Sequence, residues 1–413
     1  MKVMSKRIHE ISMTPTLSSL TAWLQKTTNN FDALAFLIVM SMCLLGATNG
    51  VGSMGMQLAF ILVIYLHPEL SKQWWRVSRY FVLTAVLLLL ALVAYSFNYK
   101  QALHDAWGVT RGLLMSLLAV YLLQVSGQQL YRVLTMTLMM CSLLATGVVL
   151  WNVHQYGLQE TIERQWLDTV MHRNRLGQGL AMAFIVGLAA LLSQSQPLYR
   201  QKLLLSCVLW LGAVSYINHS RGALLAMIVA GMVMLFLWNW RKALIVESIG
   251  LVVALIINHL GILSKIATHN GGSLGNGREF LWPPIFERVL QNPWFGHGLH
   301  AVNNDPVLLA QKIEAVSHVH SIYLDIVYAS GLMGFLFWGI WTLLFAKNIK
   351  KILTPNNNMA CYLGLGLLTY ILVHGVVDLA FYSVGTSAIL AFSGVLTIGL
   401  FVKERSHENT AHS

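Results

Sequence analysis

Tyr80-Phe-Val-Leu-Thr-Ala-Val-Leu-Leu-Leu-Leu-Ala-Leu-Val-Ala-Tyr-Ser-Phe97 is 18 residues without a charge. As a helix rising 1.5 Å per residue the run covers about 27 Å, close to the ~30 Å of a bilayer hydrocarbon core. It is also far longer than an ordinary strand. The rest of the chain agrees: 56% of its residues are hydrophobic and only 10% are charged, against roughly 25% charged in soluble domains. The expected fold class is all-α, a polytopic membrane protein.

Eleven further stretches read the same way. The twelve lie at about 31–48, 51–66, 80–97, 106–126, 131–152, 176–192, 201–217, 222–240, 243–260, 321–346, 359–377 and 383–402. The chain then divides into an interfacial N-terminal segment (1–30), helices one to nine (31–260), one long polar loop (261–320), helices ten to twelve (321–402) and a short tail (403–413). Residues 1–30 carry mildly amphipathic apolar positions, suited to the membrane surface, and no cleavable signal is read in them. There is no internal repeat. The four cysteines, Cys43, Cys141, Cys207 and Cys361, fall inside apolar segments without CxxC spacing, which argues against disulfides and a thiolate zinc site.

Lys and Arg set the orientation. With the N-terminus inside, the inner connections carry 17 of the 27 basic residues and the outer ones 10, although the outer side holds the 60-residue loop. Both termini are therefore expected in the cytoplasm. This bias accounts for most of the net charge of +11. The basic residues are scattered over short loops rather than gathered in a tract with interleaved aromatics, so nucleic acid is not called for.

The outer basic residues are mostly arginine: Arg111, Arg164, Arg173, Arg175, Arg221, Arg278 and Arg288. A guanidinium binds phosphate oxygens in pairs and stays charged when desolvated, although interfacial arginines also snorkel to lipid phosphate. Arg221 stands out, because Ser220-Arg221-Gly222-Ala223 opens a span. A Ser220 cap and a helix N-terminus together make an anion site there. Arg278 lies in Gly275-Asn-Gly-Arg278, a glycine-rich approach to a short helix that lacks the Gly-Lys-Ser/Thr of a phosphate loop.

His320-Ser321, followed by nine residues and then Gly331-Leu-Met-Gly334, opens the tenth span directly after the long loop. Ser321 is a plausible N-cap, so His320 stands just outside a helix N-terminus. The positive end of the helix dipole favours neutral imidazole there, a base able to take a proton from a hydroxyl. A metal on His297, His300, His318 and His320 is the competing use. No thiolate or Asp-x-Asp pair strengthens it, and no metal is expected.

At these residues the chain resembles the O-antigen ligase family of Gram-negative bacteria, relatives of O-antigen polymerases and bacterial O-oligosaccharyltransferases. The resemblance covers mainly residues 172–402. It is carried by Ser220-Arg221-Gly222-Ala223, Gly277-Arg278, Asn292-Pro-Trp-Phe-Gly296-His-Gly298, and His320-Ser321 with Gly331-x-x-Gly334; Asp378 matches an acidic position of such ligases. What the resemblance implies is a fold similar to the C-type glycosyltransferases. Such a protein moves O-antigen glycan from undecaprenyl diphosphate to a sugar hydroxyl of lipid A-core, on the periplasmic face of the inner membrane, in lipopolysaccharide biosynthesis, without metal, nucleotide or other cofactor. His320 would be the catalytic base and Arg221 and Arg278 would bind the donor diphosphate, with Arg175 and Asp378 in support. The partners implied are the lipid-linked O-antigen, lipid A-core and membrane lipid.

Two other readings share the same features. An O-antigen polymerase uses the same donor chemistry with a different acceptor, and the long loop running directly into the histidine motif favours the ligase. A transporter of lipid-linked sugars would need charged residues facing a cavity at mid-bilayer. Here Glu247 is the main acid within an apolar run, and the remaining charge gathers on the outer side.

Overall fold

The computed structural model of the chain describes residues 32–411 apart from 48, 164–166, 168–172, 193–197, 219, 260–277, 300, 311–318, 354 and 356–357. Among the described residues every regular element is a helix. The first half runs α1 (Ala33–Ala47), α2 (Asn49–Leu66), α3 (Pro68–Ala94), α4 (Tyr99–Leu114), α5 (Ser116–Gln124), α6 (Gly127–Tyr156) and the short α7 (Leu158–Glu163). The second half runs α8 (Arg173–Leu191), α9 (Leu198–Ile217), α10 (Arg221–His259), α11 (Arg278–Gln291), α12 (Pro306–Ala310), α13 (Ile322–Ile349), α14 (Asn358–His374) and α15 (Val384–Ala411). Seven of the described helices are long and apolar enough to cross a membrane, α4 and α5 counting as one, and α1, α2 and α14 are shorter apolar helices. The protein is an all-α polytopic membrane protein.

Burial sorts the helices by depth in the bundle. In α5 every residue from Ser116 to Leu123 is buried, as in a helix with protein on all sides. On α3 and α6 the pattern reverses: Leu83, Leu87, Leu90, Leu143, Leu144 and Leu150 are exposed, which is stable only where lipid is the solvent. Close helix crossings use small residues. A Cβ on Gly364 of α14 would come within 2.2 Å of Leu396 on α15.

Local chemistry moves several boundaries. The charge-free run from Tyr80 is the second half of α3, which starts at Pro68 with proline in the first turn and carries Lys72, Arg76 and Arg79 before the apolar stretch begins. A helix that begins on a proline need not wait for the hydrocarbon edge. The spans expected at 222–240 and 243–260 meet without a loop in α10, broken only at Asn239 (φ −161°, ψ 96°).

The element that matters most for the site is α13, which is also broken, at Gly331 (φ 63°, ψ −169°). In an unbroken helix Leu332 N–H would donate to Tyr328 C=O, and Met333 N–H to Ala329 C=O. Here the loop after α11 takes all four groups. His297 N and Gly298 N donate to the carbonyls of Tyr328 and Ala329 at 2.9 Å each, while Leu332 N and Met333 N donate to Pro293 O at 2.8 Å and Trp294 O at 3.1 Å. Backbone left unpaired inside a membrane protein would cost several kcal/mol per group. The Asn292–Gly298 segment is the splint that makes the break tolerable. Gly296 and Gly331 allow the approach, since added Cβ atoms would meet backbone at 2.6 Å and 2.3 Å.

Candidate active site

His320 is the only described non-glycine residue with positive φ, 55°. A left-handed conformation is uncommon outside glycine, though histidine is among the residues enriched there, and it persists only where neighbours enforce it. They are identifiable. Ser321 follows in an extended conformation and its hydroxyl accepts from Leu324 N, capping α13 as the sequence predicts. Ile322 N donates to Gly375 O at 2.7 Å, fastening the start of α13 to the end of α14. The chain reverses at His320 and turns the imidazole toward the α14–α15 loop.

What it meets there is Asp378. His320 Nδ1 lies 2.9 Å from Asp378 Oδ1, and Asn174 Nδ2 donates to Oδ2 at 2.8 Å. Arg278 Nη2 stands 3.7 Å from Oδ1, and His374 Nε2 3.7 Å from Oδ2. Asp378 is 8% exposed. Burial alone would push its carboxyl up. The hydrogen bond donated by His320, with the neighbouring His374 and the Arg278 charge, outweighs that and holds it below the usual carboxylate value. An ionised carboxylate on Nδ1 fixes that nitrogen as the one carrying the proton, which leaves the lone pair on Nε2.

The second layer reaches Arg221. Ser220, buried just before α10, donates from its hydroxyl to Asn174 Oδ1 at 3.2 Å, and its backbone carbonyl accepts from Leu224 N. Gly177 makes room for this, since a Cβ there would lie 2.6 Å from the Ser220 Cβ. Arg221 is the first residue of α10, half-buried, and its neighbour Gly222 backs onto His374 and Val377. Arg278 is likewise the first residue of α11, its side chain 18% exposed. Here α10 begins at Arg221 and α13 at Ile322, and such helix starts, with Arg278 close by, are arranged as an anion would require.

The structure brings together three of the expected site residues, Arg278, His320 and Asp378, and Arg221 directly follows Ser220, which bonds into the same cluster. Arg175, exposed on the first turn of α8, stands outside the hydrogen-bond network centred on Asp378. Asn174 and His374 are additions. His374 and Asp378 sit four apart, the spacing of neighbours on one helix face, and that was the available signal. Asn174 gave none beyond its place beside Arg175.

Of the four histidines weighed as metal ligands, His300 and His318 lie outside the described residues. His297 is occupied otherwise: its Nε2 is 2.8 Å from Arg288 O, and its ring packs on Tyr328. Among the described residues no group of three or more His, Cys, Asp or Glu is arranged to hold a metal.

Residues 205–339 match the O-antigen ligase family model. That stretch contains the Ser220-Arg221 opening, Arg278, the Asn292–Gly298 splint and the whole of His320-Ser321 through Gly334, and it stops short of Asp378. The chain is also 29% identical over 169 residues to an O-antigen ligase of Pseudomonas aeruginosa, an alignment covering 39% of this chain and 38% of that protein. The chain therefore spans well under half the length of that curated relative. A solved chain from a peptidoglycan synthase complex superposes with a TM-score of 0.43 and 17% identity, over 78% of this chain and 97% of that one, a loose likeness.

Proposed function

We propose that the protein is an O-antigen ligase acting at the periplasmic face of the bacterial inner membrane. The donor is O-antigen glycan on undecaprenyl diphosphate and the acceptor is a sugar hydroxyl of lipid A-core. The observation that carries the proposal is the His320–Asp378 pair standing by the starts of α10 and α13, with Arg278 3.7 Å from Asp378 and Arg221 at the first position of α10.

Each group has one task. Arg221 and Arg278, with the helix starts, bind the donor diphosphate and neutralise charge on the leaving group. His320 Nε2 takes the proton of the acceptor hydroxyl, and Asp378 stabilises the imidazolium that forms. The acceptor oxygen bonds to the anomeric carbon as the bond from that carbon to the diphosphate oxygen breaks. The electron pair of the broken bond leaves on undecaprenyl diphosphate. Neither a nucleotide nor a metal has a part in this sequence. The excess of Lys and Arg on the opposite side supports the periplasmic placement. The curated relative named as a ligase supports that acceptor over the one a polymerase would use.

The test uses purified protein with undecaprenyl-diphosphate-linked O-antigen and lipid A-core, in EDTA and without nucleotide. Wild type should transfer glycan. His320→Ala should be slower by roughly 10² to 10⁴, the worth of a general base, while still binding donor. Transfer that vanishes in EDTA and returns with a divalent ion, or a His320→Ala variant of normal rate, overturns the proposal.

A further inference from the structure

One face of α11 is apolar, exposed and without a task in the reaction as described. Turning by about 100° per residue, the helix sets Pro283, Phe286 and Leu290 on one stripe, and all three are exposed, Leu290 at 75%. About 130° round from that stripe lie Leu281, Ile285 and Val289, packed with Leu324 and Tyr328 of α13 into a small core of their own. The third side carries Glu287 and Gln291, both exposed. A helix on the surface of a soluble protein has one apolar stripe. This one has two, and an outward apolar patch marks a contact still to be made.

The splint shows what the outward stripe adjoins. Trp294 follows Leu290 by four residues, and Trp294 and Phe295 are themselves exposed, at 53% and 65%. Their segment is bonded to α13 where that helix resumes after its break, Leu332 N donating to Pro293 O and Met333 N to Trp294 O. Between Ile322 and Ser330 Tyr323 is the only exposed residue. From Leu332 onward the outward side chains are those of a lipid-facing span: Leu332, Met333, Leu336, Ile340 and Leu343. The apolar surface of a membrane-crossing helix therefore passes across the splint to α11.

Depth agrees. The far end of α13 and the turn after it carry Lys347, Lys350 and Lys351, which mark one headgroup boundary. Lys347 is 16 residues after Gly331, about 24 Å of helix against the ~30 Å of a hydrocarbon core. The break, with Trp294 beside it, thus lies near the opposite boundary, the level at which tryptophan is enriched.

We propose that α11 and the splint form a membrane-docking surface, with Phe286, Leu290, Trp294 and Phe295 against the acyl chains of the leaflet nearest the site. A helix with protein on one side, lipid on the second and water on the third lies in the interface. Arg278, the first residue of α11, is thereby held next to the bilayer from which a lipid-linked substrate is drawn.

The experiment places the photoreactive p-benzoylphenylalanine singly at Phe286, Leu290, Glu287 and Gln291, and at Leu343 of α13 as the lipid-facing standard. Each full-length variant is reconstituted in vesicles of phosphatidylethanolamine and phosphatidylglycerol and irradiated, and its adducts are read by intact mass. The Phe286 and Leu290 variants should take up lipid as the Leu343 variant does, several-fold more than the Glu287 and Gln291 variants. Equal uptake at all four α11 positions overturns the surface. So does uptake at Phe286 and Leu290 several-fold below that at Leu343, or adducts there to another stretch of this chain or to a second copy. Gln291 accepts from Arg288, and if its replacement weakens the fold, Glu287 alone serves as the water-facing control. No donor or acceptor is present, so failure here leaves the glycosyl-transfer reading standing, and failure of that reading leaves this surface.

Discussion

Burying a carboxylate costs several kcal/mol unless donors and cations surround it, and Asp305 and Asp378 meet that condition in different ways. Asp305 is fully enclosed by Arg288 Nε at 2.8 Å, Tyr328 Oη at 2.7 Å and Val307 N at 2.9 Å. Burial pushes its carboxyl up, and these hydrogen bonds with the Arg288 charge hold it below its ordinary value. Asp305→Asn should therefore cost about 3 kcal/mol at neutral pH, as expected when one partner of a buried ion pair is removed. A depressed carboxylate contributes stability above its unfolded value of ~3.9 and loses it as pH falls through the lower folded value. The gap between wild type and variant should then hold from neutral pH down to about pH 4 and close only below it. Denaturant unfolding across that range checks this, and a gap already closed at about pH 6 would remove Asp305 as the source. Asp378 also binds tightly to two groups, but its other two partners stand off at 3.7 Å. Most of this was readable beforehand. His320, Arg221 and Arg278 declare themselves by sitting at helix starts, and Asp378 by resemblance. Asn174 does not, because it reaches Asp378 only through folding, 204 residues away in sequence.

At the scale of elements, the broken helix α13 and its splint are one device. Gly331 sits at φ 63° and ψ −169°, a region open essentially to glycine alone. Gly331→Ala should lower stability by roughly 2 kcal/mol or more through strain and displaced backbone pairs. It should also reduce transfer, since the splint holds the helix that His320 precedes. Thermal unfolding and transfer rate measured on the same preparation test this. A variant of wild-type stability and rate would mean that the break is incidental. Hydropathy located the helices well because a charge-free run of span length has few alternatives in a chain this apolar. It did not locate the breaks. Asn239 interrupts an apolar run whose two halves read as separate spans, and Gly331 is marked by a motif whose structural meaning appears only when the Asn292–Gly298 backbone is laid against it.

For the whole molecule, the bundle gathers the starts of α10 and α13, Arg278 and the His320–Asp378 pair in one place, and the distribution of Lys and Arg is the reason to expect that place outside. A reporter fused after residue 290 should be active only in the periplasm, and one fused after residue 350 only in the cytoplasm. The reverse pattern would put the site on the wrong side for lipid A-core. The central claim is that His320 and Asp378 act as one unit. Two groups serving one proton transfer are not additive, and removing the second after the first costs little. The direct measurement is the single-turnover rate of His320→Ala, Asp378→Asn and the double variant, each saturated with donor and lipid A-core. The account predicts that the double variant is about as slow as the slower single variant, with donor binding intact in all three. Rates that fall by the product of the two single effects, or an Asp378→Asn variant of normal rate, would contradict it.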